Sequence, residues 1–219
     1  MKKYKLHRIF SLIDSNGVIF DIGAHNGDKS SNLEHFSSKI ILVEPQPDCL
    51  KILNKRFGQN SKILILPYGI SASASKLDLQ INSSNPLIST FSNHWKTGRF
   101  SNSNWDKKIT VETKTLDQLI KSYGKPSYIK IDVEGFEFEV LKGLSEKVGY
   151  ISFEFTSEFF KNATNCLNRL ENIGYNEFTF SEGEKKKFNI DWTSKQKILK
   201  IINNEIIKYP NLWGDIYAR

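Results

Sequence analysis

The sequence predicts an α/β fold of the doubly wound, Rossmann-like kind, a mostly parallel sheet with helices on both faces. Three observations carry that expectation. Short apolar runs alternate with stretches of helical spacing along most of the 219 residues, which is the rhythm of βαβ units. A turn with glycines at Gly23 and Gly27 follows the first apolar run, the place where such sheets approach a ligand. Length and unbroken composition, with no Pro/Ser-rich linker, suit one domain over residues 1–219.

The elements follow in order. "VIFDIG" (18–23) is the first strand, and a polar helix runs from the turn to about Phe36. "KIILVEP" (39–45) is the second strand, "DCLKILNKRF" (48–57) a helix by its apolar spacing, and "KILILP" (62–67) the third strand. "TLDQLIKSYG" forms a helix before the fourth strand, "YIKIDV" (128–133), and "FEFEVLKGL" (136–144) forms another after it. "YISFEF" (150–155) and a helix near 158–172 come next, then "NEFTFS" (176–181) with "KKKFNI" (185–190) as an antiparallel edge hairpin. Between 82 and 108 neither periodicity persists. A loop of that length inside a compact domain is an insert with a function or a disordered segment.

Composition narrows the partners. With 31 Lys+Arg against 24 Asp+Glu the net charge is +7, spread along the chain and well accounted for by a solvated basic surface. Cys49 and Cys166 fit neither a CxxC metal pattern nor a disulfide framework and are expected reduced and packed. The first 17 residues, "MKKYKLHRIFSLIDSNG", break their apolar runs with His7, Arg8, Ser11 and Asp14. That defeats a signal h-region and a membrane span, so the expectation is a cytoplasmic protein.

Three ligand classes compete for the opening turn. A P-loop needs GxxxxGK[ST], but "GAHNGDKS" puts its second glycine one place early and Asp28 where that glycine belongs. A dinucleotide turn needs GxGxxG, whereas Gly23 and Gly27 fit only G-x-x-x-G, with Asp21 two residues ahead. A carboxylate there suits ammonium and sulfonium charges rather than pyrophosphate, which points to S-adenosylmethionine. The turn alone, or a helix cap at Asp21, would account for the same residues. Glu44 closes the second strand where doubly wound nucleotide folds place an acid on the ribose hydroxyls. Pro45 and Gln46 would flank an adenine edge.

The third element is "IKIDVEGFEFEVLKGL" (129–144), which puts Lys130, Asp132 and Glu134 at alternate positions off the carboxyl end of the fourth strand. Here the sequence closely resembles the FkbM family of S-adenosylmethionine-dependent methyltransferases, through "FDIGAHNG", "LVEPQP", "TLDQLI" and an "IDVEG" segment opening an "E-x-x-V-L-x-G" helix. The resemblance spans roughly residues 18–156. It implies a class I methyltransferase fold, seven-stranded with an antiparallel edge hairpin, and O-methylation of hydroxyl acceptors, often sugars. Carried over by position, Asp21, Gly23, Ala24, His25, Asn26 and Gly27 would line the methionine end, Glu44 the ribose, and Tyr68 and Gly69 the adenine. His25 stands where the family more often has Asn, and Gly69 where Ala is common.

Methyl transfer asks the protein to align a hydroxyl and accept its proton. Asp132 is the first candidate base and Glu134 the second; alternatively Asp132 orders the strand end or holds the cofactor's ammonium group, and Glu134 caps the helix. Glu154 aims at the same rim, and His94, Trp95, Arg99 and Trp105 in the insert are expected to meet the acceptor. Those aromatics could equally anchor the loop. No ligand spacing supports a metal, although Asp132, Glu134 and Glu154 could gather round a hard cation. Two alternatives stay open: a nucleic-acid methyltransferase, which the charge permits but "DVEG" in place of a [DN]PP[FYW] segment disfavours, and a non-catalytic cofactor-binding module.

Overall fold

The computed structural model describes residues 13–97, 100–183, 185 and 188–219. In chain order the elements are β1 (Val18–Ile22), α1 (Ser30–Leu33), β2 (Lys39–Val43), α2 (Pro47–Phe57), β3 (Ile63–Leu66), β4 (Gly69–Ile70), β5 (Ser75–Ile81), β6 (Lys107–Lys114), α3 (Leu116–Tyr123), β7 (Pro126–Ile131), α4 (Glu137–Lys142), β8 (Tyr150–Thr156), α5 (Phe160–Asn172), β9 (Phe178–Glu182), α6 (Lys195–Lys208) and β10 (Trp213–Ala218). One sheet of seven strands has the order β3-β2-β1-β7-β8-β10-β9. Every neighbouring pair in it is parallel except the two made by β10, which runs antiparallel to β8 and to β9.

The central strands are apolar runs because both faces are covered. All five residues of β1 are buried. Phe20 and Ile22 pack with Ile129, Ile131, Leu119, Val140, Leu167 and Ile202 on one face, while Ile19 packs with Ile40, Leu42, Leu53 and Phe57 on the other. Asp21 and Lys130, paired in register across β1 and β7, therefore take alternate positions on the second face. Helix α3 starts on a capping box, in which Thr115 Oγ1 accepts from the Gln118 amide and Gln118 Oε1 accepts from that of Thr115.

The sheet's far edge departs from the expected hairpin. β9 pairs with β10, whereas Lys185 and Phe188 to Ile190 belong to no strand, and Lys186 and Lys187 lie outside the described residues. The physical reason is burial: β10 supplies Ile216, Tyr217 and Ala218, all nearly solvent-free, whereas "KKKFNI" would bring three lysines into the sheet.

A second, three-stranded sheet of order β4-β6-β5 leaves the carboxyl end of β3. Leu79, Ile81 and Val111 form its small core, with Phe91 packed against them. Among its described residues, the 82–106 connection between β5 and β6 holds the short 3-10 turns Pro86–Ile88 and Asn93–Lys96. It is tied down at Thr90, which exchanges backbone hydrogen bonds of 2.9 Å with Gln80. Among the described residues, no helix is long and apolar enough to cross a membrane.

Candidate active site

The carboxyl ends of β1, β2 and β7 meet in one pocket. Its wall includes Gly23, His25, Glu44, Pro45, Gln46, Tyr68, Gly69, Asp132 and Glu134, and the connection adds Leu87, Ser89, Thr90 and Phe91. Gly23 has φ +79°, and a Cβ there would lie 1.9 Å from the Asp132 carbonyl oxygen. Only glycine lets β1 turn away this close to β7.

Glu44 is the pocket's best-held acid. It is 2% exposed, and its two oxygens accept the backbone amides of His25 and Gln46, each at 2.8 Å. Burial pushes its carboxyl up to about 7 against those bonds. A carboxylate has about four lone-pair sites, so Glu44 retains acceptor capacity for a ligand's hydroxyls.

Asp21 is placed differently from its sequence assignment. It is fully buried, accepts from Ser30 Oγ at 2.6 Å and from Lys130 Nζ at 3.0 Å, and stands behind the pocket wall rather than in it. Ala24 packs into the core on the α2 side. The Asn26 carbonyl accepts from Arg56 at 2.5 Å, and Gly27 closes the turn by donating to the Ala24 carbonyl at 2.8 Å. These residues shape the turn from outside.

β7 ends at Ile131, two residues short of the expected Val133, so Asp132 and Glu134 occupy a turn before α4. Asp132 Oδ2 lies 2.8 Å from Lys29 Nζ and 3.4 Å from Lys130 Nζ. Burial opposes its charge, but the two ammonium groups outweigh that and hold its carboxyl well below the usual carboxylate range. Asp132 is thus a weak proton acceptor. Glu134, at φ +55°, is the opposite: burial, then Asp132 and Glu137, raise it well above the ordinary value. Burial, then Asp132 and Glu134, do the same to Glu154 on β8.

Asp132, Glu134 and Glu154 each bring a carboxylate oxygen within 4.8 Å of the others. A cation held by all three would compete with Lys29 for Asp132.

Sequence reasoning missed Glu137. It is 2% exposed, its Oε1 accepts the amides of Gly135 at 3.0 Å and Val133 at 3.3 Å, and its Oε2 accepts from Asn162 at 3.1 Å. The signal was present, since Glu137 is the first letter of the "E-x-x-V-L-x-G" stretch.

The insert divides. Phe91 lies over Gly69 and faces Phe136 at 5.5 Å between ring centroids, inside the pocket. Trp95 is 3% exposed and stacks between Phe100 and Phe159, each at 5.1 Å. Trp105 donates to the Phe100 carbonyl at 3.3 Å and His94 is exposed; neither lines the pocket. Arg99 lies outside the described residues. Glu154 lines a smaller neighbouring cleft with Trp95, Phe159 and Asn162.

A parallel sheet closed by one antiparallel strand, with its pocket at the carboxyl ends of β1, β2 and β7, is the fold of the class I methyltransferases. Residues 21–177 match the Methyltransferase FkbM domain, and the chain belongs to that family. It is similar to "Methyltransferase sdnD" of Sordaria araneosa, 30% identical over 62% of this chain and 63% of that protein. It is also similar to "Hexuronic acid methyltransferase AglP" of Haloferax volcanii, 25% identical over 64% of this chain and 55% of that one. The chain thus matches less than two thirds of the length of either relative. Among solved structures, a methyltransferase FkbM from Methylobacillus flagellatus superposes with a TM-score of 0.57 at 14% identity, over 99% of this chain and 49% of that one. Aeropyrum pernix fibrillarin, solved with natively bound S-adenosyl-L-methionine, superposes with a TM-score of 0.51 at 9% identity, over 94% of this chain and 67% of that one.

Proposed function

We infer that this chain, acting as one domain with the 82–106 connection as part of its site, binds S-adenosylmethionine and methylates a hydroxyl of a sugar or glycan-related molecule. The observation that carries the reading is the lining of the pocket: Tyr68, Leu87 and Phe91 offer apolar walls for a purine, and Glu44 adds a buried carboxylate with acceptor capacity left for ribose hydroxyls. Ser89 Oγ, in the same wall, is buried without a hydrogen-bond partner among the described residues, which suits a ligand that brings polar edges.

When bound, S-adenosylmethionine supplies a methyl group whose bond to sulfur breaks as the new carbon–oxygen bond forms, the electron pair staying on sulfur. The protein's share is to orient the acceptor, exclude water and take the hydroxyl proton. The family and the relative named for a hexuronic acid support carbohydrate chemistry.

Calorimetry tests the reading. S-adenosylhomocysteine should bind while NAD and ATP do not, and Glu44→Ala should weaken that binding by about 1.5–3 kcal/mol, the worth of hydrogen bonds to a charged group. Tight NAD or ATP binding, or an unchanged dissociation constant in folded Glu44→Ala, would overturn it.

A further inference from the structure

The turn that carries Asp132 and Glu134 holds a conformation that side chains rarely adopt. Glu134 has φ +55° and Gly135 has φ +86°, and a non-glycine residue in this left-handed region persists only where its surroundings fix it. The peptide between the two is gripped at both ends. Its carbonyl, that of Glu134, accepts from Thr90 Oγ1 at 2.6 Å, and its N–H, that of Gly135, donates to Glu137 Oε1 at 3.0 Å. A peptide unit is planar, and in the trans form its C=O and N–H point opposite ways. Holding both groups therefore sets ψ of Glu134 and φ of Gly135 together.

Thr90 belongs to the 82–106 connection, and its own surroundings aim it at the turn. It is 1% exposed, its backbone exchanges two hydrogen bonds with Gln80, and its hydroxyl accepts the Ser92 amide at 2.8 Å while donating to Glu134. Neighbouring residues of the connection settle on the same turn. Trp95 covers Gly135, where a Cβ would come 2.6 Å from its ring, and Phe91 faces Phe136. The Glu134 side chain lines the cofactor pocket, and its carboxylate lies within 4.8 Å of those of Asp132 and Glu154. The charged groups around it are Asp132 in the turn, Glu137 on α4, Glu154 on β8, Lys130 on β7 and Lys29 before α1. No hydrogen bond or ion pair to the Glu134 carboxylate occurs among the described residues, so its backbone places it.

We propose that Thr90 is a positioning residue of the active site: its hydroxyl, by fixing the Glu134–Gly135 peptide from the side of the connection, holds the Glu134 carboxylate in the pocket wall beside Asp132 and Glu154. The meaning of that placement for catalysis rests on the methyl-transfer reading, whereas the placement itself is measured without it. Glu137 and Thr90 divide the task. Glu137 grips the peptide's N–H from α4, and Thr90 grips its oxygen from the 82–106 connection. Without the hydroxyl the Glu134 carbonyl loses its hold, the peptide is free to turn, and the side chain swings away from its acidic neighbours toward solvent.

The test uses the full chain as wild type, Thr90→Val, Thr90→Ala and Thr90→Ser. Valine keeps the branched shape and drops the hydroxyl, alanine drops both, and serine keeps the hydroxyl, so a clash made by valine is not mistaken for the effect. The carboxyl carbon of Glu134, assigned in NMR spectra by its loss in Glu134→Gln, is followed against pH, together with hydrogen exchange of the Gly135 and Gln46 amides. Thr90→Val and Thr90→Ala should lower the Glu134 midpoint by about one unit or more, toward the ordinary carboxyl value. They should also speed exchange at Gly135 roughly 2- to 10-fold, the worth of one neutral hydrogen bond. Thr90→Ser should restore both. The Gln46 amide, which Glu44 holds in another part of the same pocket wall, should exchange alike in all four forms. An unchanged Glu134 midpoint in the two forms without the hydroxyl, or a Gln46 amide loosened as much as that of Gly135, overturns the proposal. So does failure of both forms to fold, which would make the hydroxyl a support of the whole domain. Calorimetry with S-adenosylhomocysteine on the wild type is read separately, and failure to bind strikes the cofactor reading while the placement of Glu134 stands as measured.

Discussion

Glu137 sits beneath the turn that presents Asp132 and Glu134, and its two oxygens serve three donors at once. Glu137→Ala would leave the Val133 and Gly135 amides without that acceptor, at a cost of about 1–3 kcal/mol for each buried group left unpaired. Denaturant unfolding should show a loss of that size, with Glu137→Gln retaining most of the stability because its carbonyl oxygen can still accept both amides and Asn162 can turn its own amide to suit. Equal midpoints for wild type and Glu137→Ala would show that the turn holds itself. A similar logic covers Asp21. The sequence offered it as a pocket acid because a carboxylate before a glycine turn looks ligand-directed, yet its register opposite Lys130 turns it into a buried ion pair. Breaking one partner of such a pair typically costs about 3–5 kcal/mol, more than a cofactor contact would. That register depends on how β1 and β7 align, which no local stretch of sequence states.

At the scale of elements, the parallel strands and the helices α2, α3 and α5 were legible because their periods are clean over several residues. The β5–β6 pair was legible too, though it passed unread: Leu77, Leu79 and Ile81 alternate, as do Ile109, Val111 and Thr113, and Leu79 pairs with Ile109. The aperiodic 82–106 connection separates the two strands by far more than a hairpin loop spans, so their pairing is not local in sequence. Within that connection the aromatic residues share a composition but not a role. Phe91 joins the pocket and Trp95 packs between two rings, so Trp95→Ala should cost about 3–5 kcal/mol, as removal of a packed large side chain does. Thermal unfolding checks this. A variant that melts with wild type would return Trp95 to the acceptor-contacting role that the sequence suggests.

For the whole molecule, the acids buried at the sheet's carboxyl end make stability depend on pH. Burial pushes both Glu44 and Glu137 up to about 7 from 4.5. A raised carboxyl means that the folded chain binds more protons than the unfolded one between those values, so the contribution is complete below about pH 4.5 and is lost as pH rises through 7. Each group accounts for about 3 kcal/mol at most. Asp132, held low, acts in the opposite sense, but only below the ordinary carboxylate range. Unfolding midpoints should therefore fall between about pH 5 and pH 7.5, with a shallower slope in Glu137→Gln; a rising midpoint would contradict the burial of these acids. The order of strands bears on a different matter, the making of the chain. β9 is synthesised before β10, yet β10 lies between β8 and β9. At about 5–20 residues per second on the ribosome, β9 waits a few seconds without β10, holding the bridge from Phe178 to Thr193, while β8 presents a bare edge, a template for pairing with other chains. Nascent chains arrested within α6 should accordingly be held by chaperones or cut by proteases in a way that chains extended through β10 are not.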